Sequence, residues 1–498
     1  MTEFKPLTFF EKSGVYQLLP FRFRRYTDGR YLLTNLVGEF VFLRPEDFSL
    51  FTKKQLSPNT NTYKDLRAKS FLSDEYSAHL DLLASRLWTK KSIIKGFTKL
   101  HIFVLTLRCN CSCTYCQVTR QDEEASRAYD MSAETARKAV DLMMQSPSDA
   151  ITVEFQGGEP LLNLPVLAEV VRYAKELNQR AQKHLSFVVC TNLSRLDDEM
   201  LGFFKRENVS ISTSLDGPAS LHDRNRCRQV KTATHDIVVR NIRRAQEALG
   251  RPAVSALMTT TRDSLPYAKE IVDEYVRLGL GSMFIRALNP YGYAVKTRKA
   301  IGYSVDEFVN FYKQALDYII EVNRSGINFS EAYTTLLLRK MLTPWPVGFV
   351  DLQSPTGNGF AVTVYNYDGD VYASDESRML AEMGDTKFRL GNVFEDSYRD
   401  IFFGQAMQLL AGTGVAECLA GCSDCAFVPY CGADPVRHYA TQHDAYGHRP
   451  TSDFCRKNML MIEHLFSLLE AKSSEIEDVF WSWMQECSLD ETSLKSEA

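Results

Sequence analysis

Residues 105–116 read Leu-Thr-Leu-Arg-Cys-Asn-Cys-Ser-Cys-Thr-Tyr-Cys, so that Cys109, Cys113 and Cys116 are separated by three and then two residues. The apolar stretch 101–107 just before them reads as a buried strand. Three thiolates this close at a strand end can hold three irons of a four-iron, four-sulfur (4Fe-4S) cluster and leave the fourth iron without a protein ligand. The competing reading is zinc, whose structural sites take four protein ligands, often as two Cys-x-x-Cys pairs. No second pair lies nearby, and Cys111 is expected to point the other way along a local turn.

Downstream of the triad, strand-like and helix-like segments alternate. Residues 151–156, 185–190, 209–215, 253–259 and 282–288 read as strands. Helical patterns lie between them at 164–183, 197–206, 235–249 and 267–278. With the strand before the triad, this gives six strand-then-helix repeats, the period of parallel strands with right-handed crossovers. The fold class is therefore α/β, a partial (β/α)6 barrel over residues 96–325. Reacting groups in parallel barrels gather where strands end.

Residues 1–95 differ. The stretch 21–42 alternates around Asp28-Gly29 and Val37-Gly38, the pattern of a hairpin or meander, and 45–54 reads as a short capped helix before the polar break 59–62. This small α+β module is either a peptide-recognition domain of winged-helix type or an extension that buttresses the barrel. Beyond Ile301, helices at 305–323 and 331–342 lead to Pro344-Trp-Pro, and a hairpin turning at 367–370 precedes a second cysteine window. Residues 456–484 form an amphipathic helical pattern, a packing surface. Residues 326–498 are expected to form a C-terminal auxiliary-cluster domain.

Composition narrows the function. Lys plus Arg number 58 against 62 Asp plus Glu, a net charge of −4 that lacks the basic footprint of a nucleic-acid binder. The first residues have no apolar core of a secretory signal, and no segment approaches a membrane span. Eight of the twelve cysteines crowd into residues 109–116 and 418–431, which points to ligation in a reducing, cytoplasmic compartment.

An open iron can be chelated by the amino and carboxylate groups of S-adenosylmethionine (SAM), whose reductive cleavage releases a carbon radical. Gly157-Gly158-Glu159-Pro160 ends the second strand. There two glycines allow close backbone approach to a ligand, and a glutamate can accept from an ammonium group. Thr191-Asn192 and the group Ser212, Ser214 and Asp216 end the next two strands and suit ribose hydroxyls or carboxylate; capping of loops is the plain alternative. Arg224 and Arg226 are candidates to pair with the SAM carboxylate. Tyr115 either lies against adenine or packs on the barrel rim. Asp375, Glu376 and Asp434 are general-base candidates, with solvated loop carboxylates as the commoner explanation. In the second window, Cys422, Cys425 and Cys431, with Cys455 beyond, supply four thiolates, enough to saturate one cluster; zinc is the rival. Cys418, Cys422 and Cys425 repeat the spacing of the first triad without a preceding strand. Cys190, Cys227 and Cys487 read as structural or incidental thiols.

These runs resemble the radical SAM superfamily, specifically its peptide-modifying branch with a C-terminal SPASM-type cluster domain. The resemblance covers roughly residues 98–465 and rests on Cys-x3-Cys-x2-Cys, Gly157-Gly-Glu-Pro, Ser214-Leu-Asp-Gly-Pro, His222-Asp-Arg-Asn-Arg and the downstream cysteines in order. Residues 155–163, 364–376 and 421–435 carry a closer similarity to the B-type maturase of His-Xaa-Ser peptide systems. The resemblance implies a SAM-binding 4Fe-4S cluster with auxiliary 4Fe-4S ligation and SAM, with radical crosslinking or oxidation of a small precursor peptide. It also implies a second radical SAM maturase acting beside this one, and a reductant such as flavodoxin or ferredoxin. No nucleic acid or membrane partner is implied. Full SPASM domains carry two auxiliary clusters, but Pro435, Ser374 and residues 353–359 lack the cysteines expected for the first. Two clusters in total are therefore expected. The alternatives are an anaerobic sulfatase-type maturase oxidising Cys or Ser, and a non-catalytic cluster or zinc scaffold that presents peptide to another enzyme.

Overall fold

The computed structural model describes residues 16–74, 78–226, 233–471 and 473–489. Cys227 lies outside them. The chain divides into two compact units. One comprises Met1–Ile93, Arg339–Val347 and Ala416–Cys431; the other comprises Ile94–Leu338, Gly348–Val415 and Gly432–Ala498. Contacts thus group most of the second cysteine window with the N-terminal residues, although in sequence it reads as part of the C-terminal domain.

The larger unit is built on β1 (Leu100–Val104), β2 (Ala150–Gln156), β3 (His184–Thr191), β4 (Val209–Ser214), β5 (Val254–Thr259), β6 (Ser282–Arg286), β7 (Ser330–Glu331), β8 (Val362–Tyr365), β9 (Asp370–Tyr372) and β10 (Arg389–Asn392). They form one ten-stranded sheet in the order β7-β6-β5-β4-β3-β2-β1-β8-β9-β10. Pairing is parallel from β7 through β8 and antiparallel beyond it. Helices Ala133–Met143, Leu164–Ala181, Asp198–Glu207, His235–Leu249, Ala268–Arg277 and Val305–Arg324 follow β1 to β6 in turn. The six repeats expected from the sequence are all present, and the class is α/β with a mainly parallel sheet.

Alternation along the strands sorts the two faces. On β2, Ile151, Val153 and Phe155 are buried, while Glu154 and Gln156 between them are half-buried. On β4, Val209, Ile211 and Thr213 are buried and the intervening serines half-buried. The apolar set supplies the core and the small polar set the inner face. Local signals bound the helices. Ser304 accepts from the Glu307 amide at 3.2 Å and Glu307 accepts from the Ser304 amide at 2.7 Å, a capping box that starts Val305–Arg324.

Two features depart from the sequence reading. The hairpin expected at 367–370 is present, but its first strand, β8, also joins the core sheet, pairing parallel with β1 in the register Val364↔Ile102. All four residues of β8 are buried, as a strand covered on both faces requires. The helical pattern 456–484 is broken into Asp453–Glu470 and Ser474–Gln485.

In the smaller unit, Phe21–Arg25, Tyr31–Asn35 and Phe40–Leu43 form the expected antiparallel meander. Helices Pro45–Thr52, Asn61–Ala68 and His79–Lys90 follow. The second begins inside the predicted polar break, because the Thr60 hydroxyl accepts from the Tyr63 amide at 3.2 Å and caps it. Leu33, Phe51, Leu66, Phe71 and Leu72 are essentially inaccessible at the centre of its core. Among the described residues no helix is long and apolar enough to cross a membrane.

Candidate functional site

The carboxyl ends of β1 to β6 open on a cavity of about 490 Å³ inside the larger unit. Cys109, Cys113 and Cys116 line it, together with Tyr115, Gly157, Gly158, Asn192, Ser212, Ser214 and Arg226. Segments far apart in sequence meet here because a parallel sheet brings every strand's end to one side.

The cysteine loop is held from its stem. Arg108 donates through Nε and Nη2 to the Asp130 carboxylate, both at 2.8 Å, and Thr106 Oγ1 donates to the same group at 2.6 Å. This two-pronged pair is largely shielded from water, where planar matching counts most. Asn110 links the loop to the end of β3: Asn192 Nδ2 donates to Asn110 Oδ1 at 2.9 Å, and Asn110 Nδ2 donates to Ser194 Oγ at 2.8 Å. From the other side, the Ala294 amide donates to the Cys116 carbonyl at 3.0 Å.

Gly157 and Gly158 press against this stem. A Cβ at Gly157, where φ is +147°, would lie 2.2 Å from the Thr106 carbonyl oxygen, and one at Gly158 2.4 Å from that of Arg108. The Gly158 amide donates to Thr106 O at 2.7 Å and the Glu159 amide to Arg108 O at 2.8 Å. The two glycines thus let one strand end approach another while they also line the cavity.

Glu159 and Pro160 do not line the cavity, contrary to expectation. Glu159 is fully buried. Its carboxylate accepts from Thr191 Oγ1 at 2.7 Å, the Asn192 amide at 2.8 Å and the Leu161 amide at 3.0 Å. With three local donors it fixes the end of β3 beside the cysteine loop and has no face turned to a ligand. Pro160 begins the buried turn Pro160–Asn163. Arg224 pairs with Asp263 at 3.3 Å on the surface. Arg226 lines the cavity and is held by Asp216 at 3.3 Å. The Tyr115 hydroxyl donates to the Asp216 carboxylate at 2.7 Å, and the guanidinium of Arg226 sits 5.0 Å from its ring centre. The tyrosine therefore packs in a buried Tyr115–Asp216–Arg226 group that aims the guanidinium.

Cys111 also lines the cavity, and its amide donates to Cys109 Sγ at 3.4 Å. The expectation that it points away is corrected: the tight loop turns all four sulfur-bearing residues toward one space. Cys190 lines the cavity as well, beside Glu154. Burial pushes the Cys113 thiol up to about 12, with Arg226 partly opposing it, and pushes Cys116 up to about 11. Cys109 is raised well above the ordinary thiol value, first by its hydrogen bond with Cys111 and then by burial. Three cysteines gathered on one loop at one cavity are a donor set that fits an iron–sulfur cluster. Among the described residues, no three His, Cys, Asp or Glu side chains converge on a single-ion point.

Asp351, Asp375 and Glu376 also line the cavity, together with Arg286, Arg437 and Lys457. None of these carboxylates is the freely solvated loop group that the sequence suggested. Asp375 accepts from Arg378 Nη2 at 2.7 Å and Nε at 3.0 Å, and Asp434 is buried as the cap of helix Pro435–Gln442. Ser374 and Pro435 serve helix starts, Ser374 accepting from the Ser377 amide at 3.2 Å.

In the smaller unit the window 416–431 lies against the meander. Thr34 Oγ1 donates to the Ala426 carbonyl at 2.7 Å, Tyr430 OH to the Gly38 carbonyl at 2.9 Å, and Arg24 stands 5.3 Å from the Phe427 ring. Burial raises the Cys425 thiol, and Cys431 and Cys422 add to the shift. Cys418 is exposed. Cys455 belongs to helix Asp453–Glu470 of the larger unit.

Comparisons with known proteins fit this geometry. Residues 103–263 match the family described as the Radical SAM superfamily. An uncharacterized protein of Methanocaldococcus jannaschii is 26% identical over 192 residues, 38% of this chain and 62% of that protein. The chain thus spans less than two thirds of that relative's length. A cysteine-type anaerobic sulfatase-maturating enzyme of Clostridium novyi is 23% identical over 334 residues, 65% of this chain and 83% of the enzyme. Among solved structures, native anSMEcpe with bound AdoMet superposes with a TM-score of 0.61 at 19% identity, covering 75% of this chain and 98% of that one. SuiB of Streptococcus suis bound to its precursor peptide SuiA gives 0.53 at 15% identity, covering 88% and 98%. The parallel sheet, the cysteine loop at the end of its first strand and the matched residues agree: residues 103–263 are similar to the radical SAM superfamily, and the chain shares the fold of these solved structures.

Proposed function

We propose that this protein is a radical SAM enzyme that modifies a ribosomally made precursor peptide of the His-Xaa-Ser type. The observation that carries the reading is the convergence of buried Cys109, half-buried Cys113 and Cys116 and the aimed Arg226 on one cavity at the strand ends. Cys109, Cys113 and Cys116 are the proposed ligands of a 4Fe-4S cluster. Asn192, Ser212, Ser214 and Arg226 are the proposed contacts to SAM, with Arg226 on its carboxylate. Bound together, cluster and SAM supply a 5′-deoxyadenosyl radical able to take hydrogen from carbon. Asp216 and Tyr115 hold Arg226, and Glu159 holds Asn192.

Cys422, Cys425, Cys431 and Cys455 are the proposed ligands of a second, fully ligated cluster. The N-terminal module, a meander followed by three helices, is the proposed holder of the precursor's leader segment. Flavodoxin or ferredoxin as reductant, a second radical SAM maturase as partner, and the cytoplasm as compartment complete the proposal. SuiB, solved with its precursor peptide, supports the peptide reading.

A second reading, a sulfatase-type maturase that oxidises Cys or Ser, is favoured by the 23% identity to the Clostridium novyi enzyme over 65% of this chain. Anaerobic co-expression with a precursor bearing His-Xaa-Ser repeats, followed by mass spectrometry, separates the two. Loss of two hydrogens as a crosslink supports the first, and an aldehyde in a sulfatase-derived peptide supports the second. Zinc in place of iron, with no 5′-deoxyadenosine formed, would leave only a scaffold.

A further inference from the structure

The first strand of the N-terminal meander, Phe21–Arg25, reads Phe-Arg-Phe-Arg-Arg, and the cavity described above makes no use of it. Alternation sends its side chains to opposite faces. Phe21 packs on Phe51, with ring centres 5.2 Å apart, and Phe23 on Phe48 at 5.1 Å, against the helix Pro45–Thr52 of the same module. Arg22 and Arg24 take the other face, toward the second cysteine window. Arg22 Nε donates to the Ser423 carbonyl, and the Arg24 guanidinium stands 5.3 Å from the centre of the Phe427 ring. Thr34, paired with Arg22 across the meander, donates to the Ala426 carbonyl at 2.7 Å and holds the same run. All of these residues belong to the smaller unit.

The run between these contacts fits a four-iron cluster. Its cysteines stand on successive turns, the Cys425 amide donating to the Cys422 carbonyl at 2.9 Å and the Cys431 amide to the Phe427 carbonyl at 3.1 Å. A polar hydrogen already points at one sulfur, since the Phe427 amide donates to Cys425 Sγ at 3.4 Å. Ser423 and Phe427, which meet the two guanidiniums, lie two residues before and two residues after Cys425. A guanidinium stays charged at every working pH. Reduction adds one negative charge to such a cluster, and nearby cations and hydrogen bonds to its sulfurs favour that addition.

We propose that Arg22 and Arg24 are tuning residues for the cluster of the second cysteine window: from the neighbouring strand they raise its reduction potential. The inference rests on the second-cluster reading and adds to it the source of the cluster's electrostatic control. A module whose phenylalanines build its own core thus spends the alternate positions of one strand on the iron–sulfur site.

The test uses the full-length chain, reconstituted anaerobically with iron and sulfide and carrying Cys113→Ala, so that the second cluster is read by itself. Its midpoint potential is taken by redox titration followed by electron paramagnetic resonance. The combined change Arg22→Gln and Arg24→Gln should lower that potential by about 59 mV or more, a tenfold loss in the ratio of reduced to oxidised cluster for one electron. Arg22→Lys with Arg24→Lys, which keeps both charges, should restore most of the difference. If the glutamine pair fails to hold iron, the single change Arg24→Gln decides by the sign of its shift. An unchanged potential with about four irons still bound would overturn the tuning and leave the second cluster standing. So would a lysine pair as low as the glutamine pair. A Cys113→Ala protein that binds no iron at all would overturn the second-cluster reading and this inference with it.

Discussion

Cys109, Cys113 and Cys116 share their spacing with Cys418, Cys422 and Cys425, yet the two windows sit in different surroundings. The first follows a parallel strand, is clamped by Arg108 and Asp130, and turns its thiols into a cavity beside the half-buried Arg226 guanidinium. The second lies in a run of turns against an antiparallel meander, and its first cysteine is exposed. Spacing therefore sets only which sulfurs can come together. The element before them and the charges around them determine whether a coordination position stays open for a small molecule or is closed by further cysteines.

The largest effect expected from this contrast is at Cys113. Cys113→Ala should remove about four irons per chain and abolish 5′-deoxyadenosine formation, read by iron analysis and chromatography. Next, Cys425→Ala should also remove about four irons but keep dithionite-driven SAM cleavage while losing peptide turnover; loss of both would erase the functional difference between the windows. Arg226→Gln should weaken SAM binding about tenfold to a hundredfold by equilibrium dialysis, because the cationic group beside the first window is gone. Gly157→Ala should lower stability by about 2–4 kcal/mol in denaturant unfolding, since the added methyl meets the Thr106 carbonyl. Cys418→Ser should change neither iron content nor SAM cleavage. A measurable loss there would mean that the second window also works as a triad.

Much of the larger unit was legible in the sequence. Alternation in stretches such as 151–156 and 209–215 sets one face against the core, and cysteines, glycines and serines stand where such strands must end. What stayed hidden depended on distant partners. The pairing of β8 with β1 joins Val364 to Ile102, and no local pattern announces it. Glu159 looks like an exposed turn residue but is consumed by Thr191, Asn192 and Leu161, because the two glycines before it draw the turn inward. Cys111 follows the tight curvature of its loop, which spacing alone does not convey. The clamp of Arg108 on Asp130 and the cavity-lining Asp351 and Glu376 come from segments whose separation in sequence has no regular period.

The central claim is that the first window leaves one iron free of protein ligands although all four cysteines of its loop line the cavity. Electron–nuclear double resonance on the reduced protein, with SAM labelled by nitrogen-15 at its amino group, tests this directly. The account predicts a nitrogen-15 coupling that disappears in Cys113→Ala and persists in Cys111→Ala. No coupling in the unaltered protein, with one emerging only after Cys111→Ala, would show that Cys111 closes the cluster and would contradict the account.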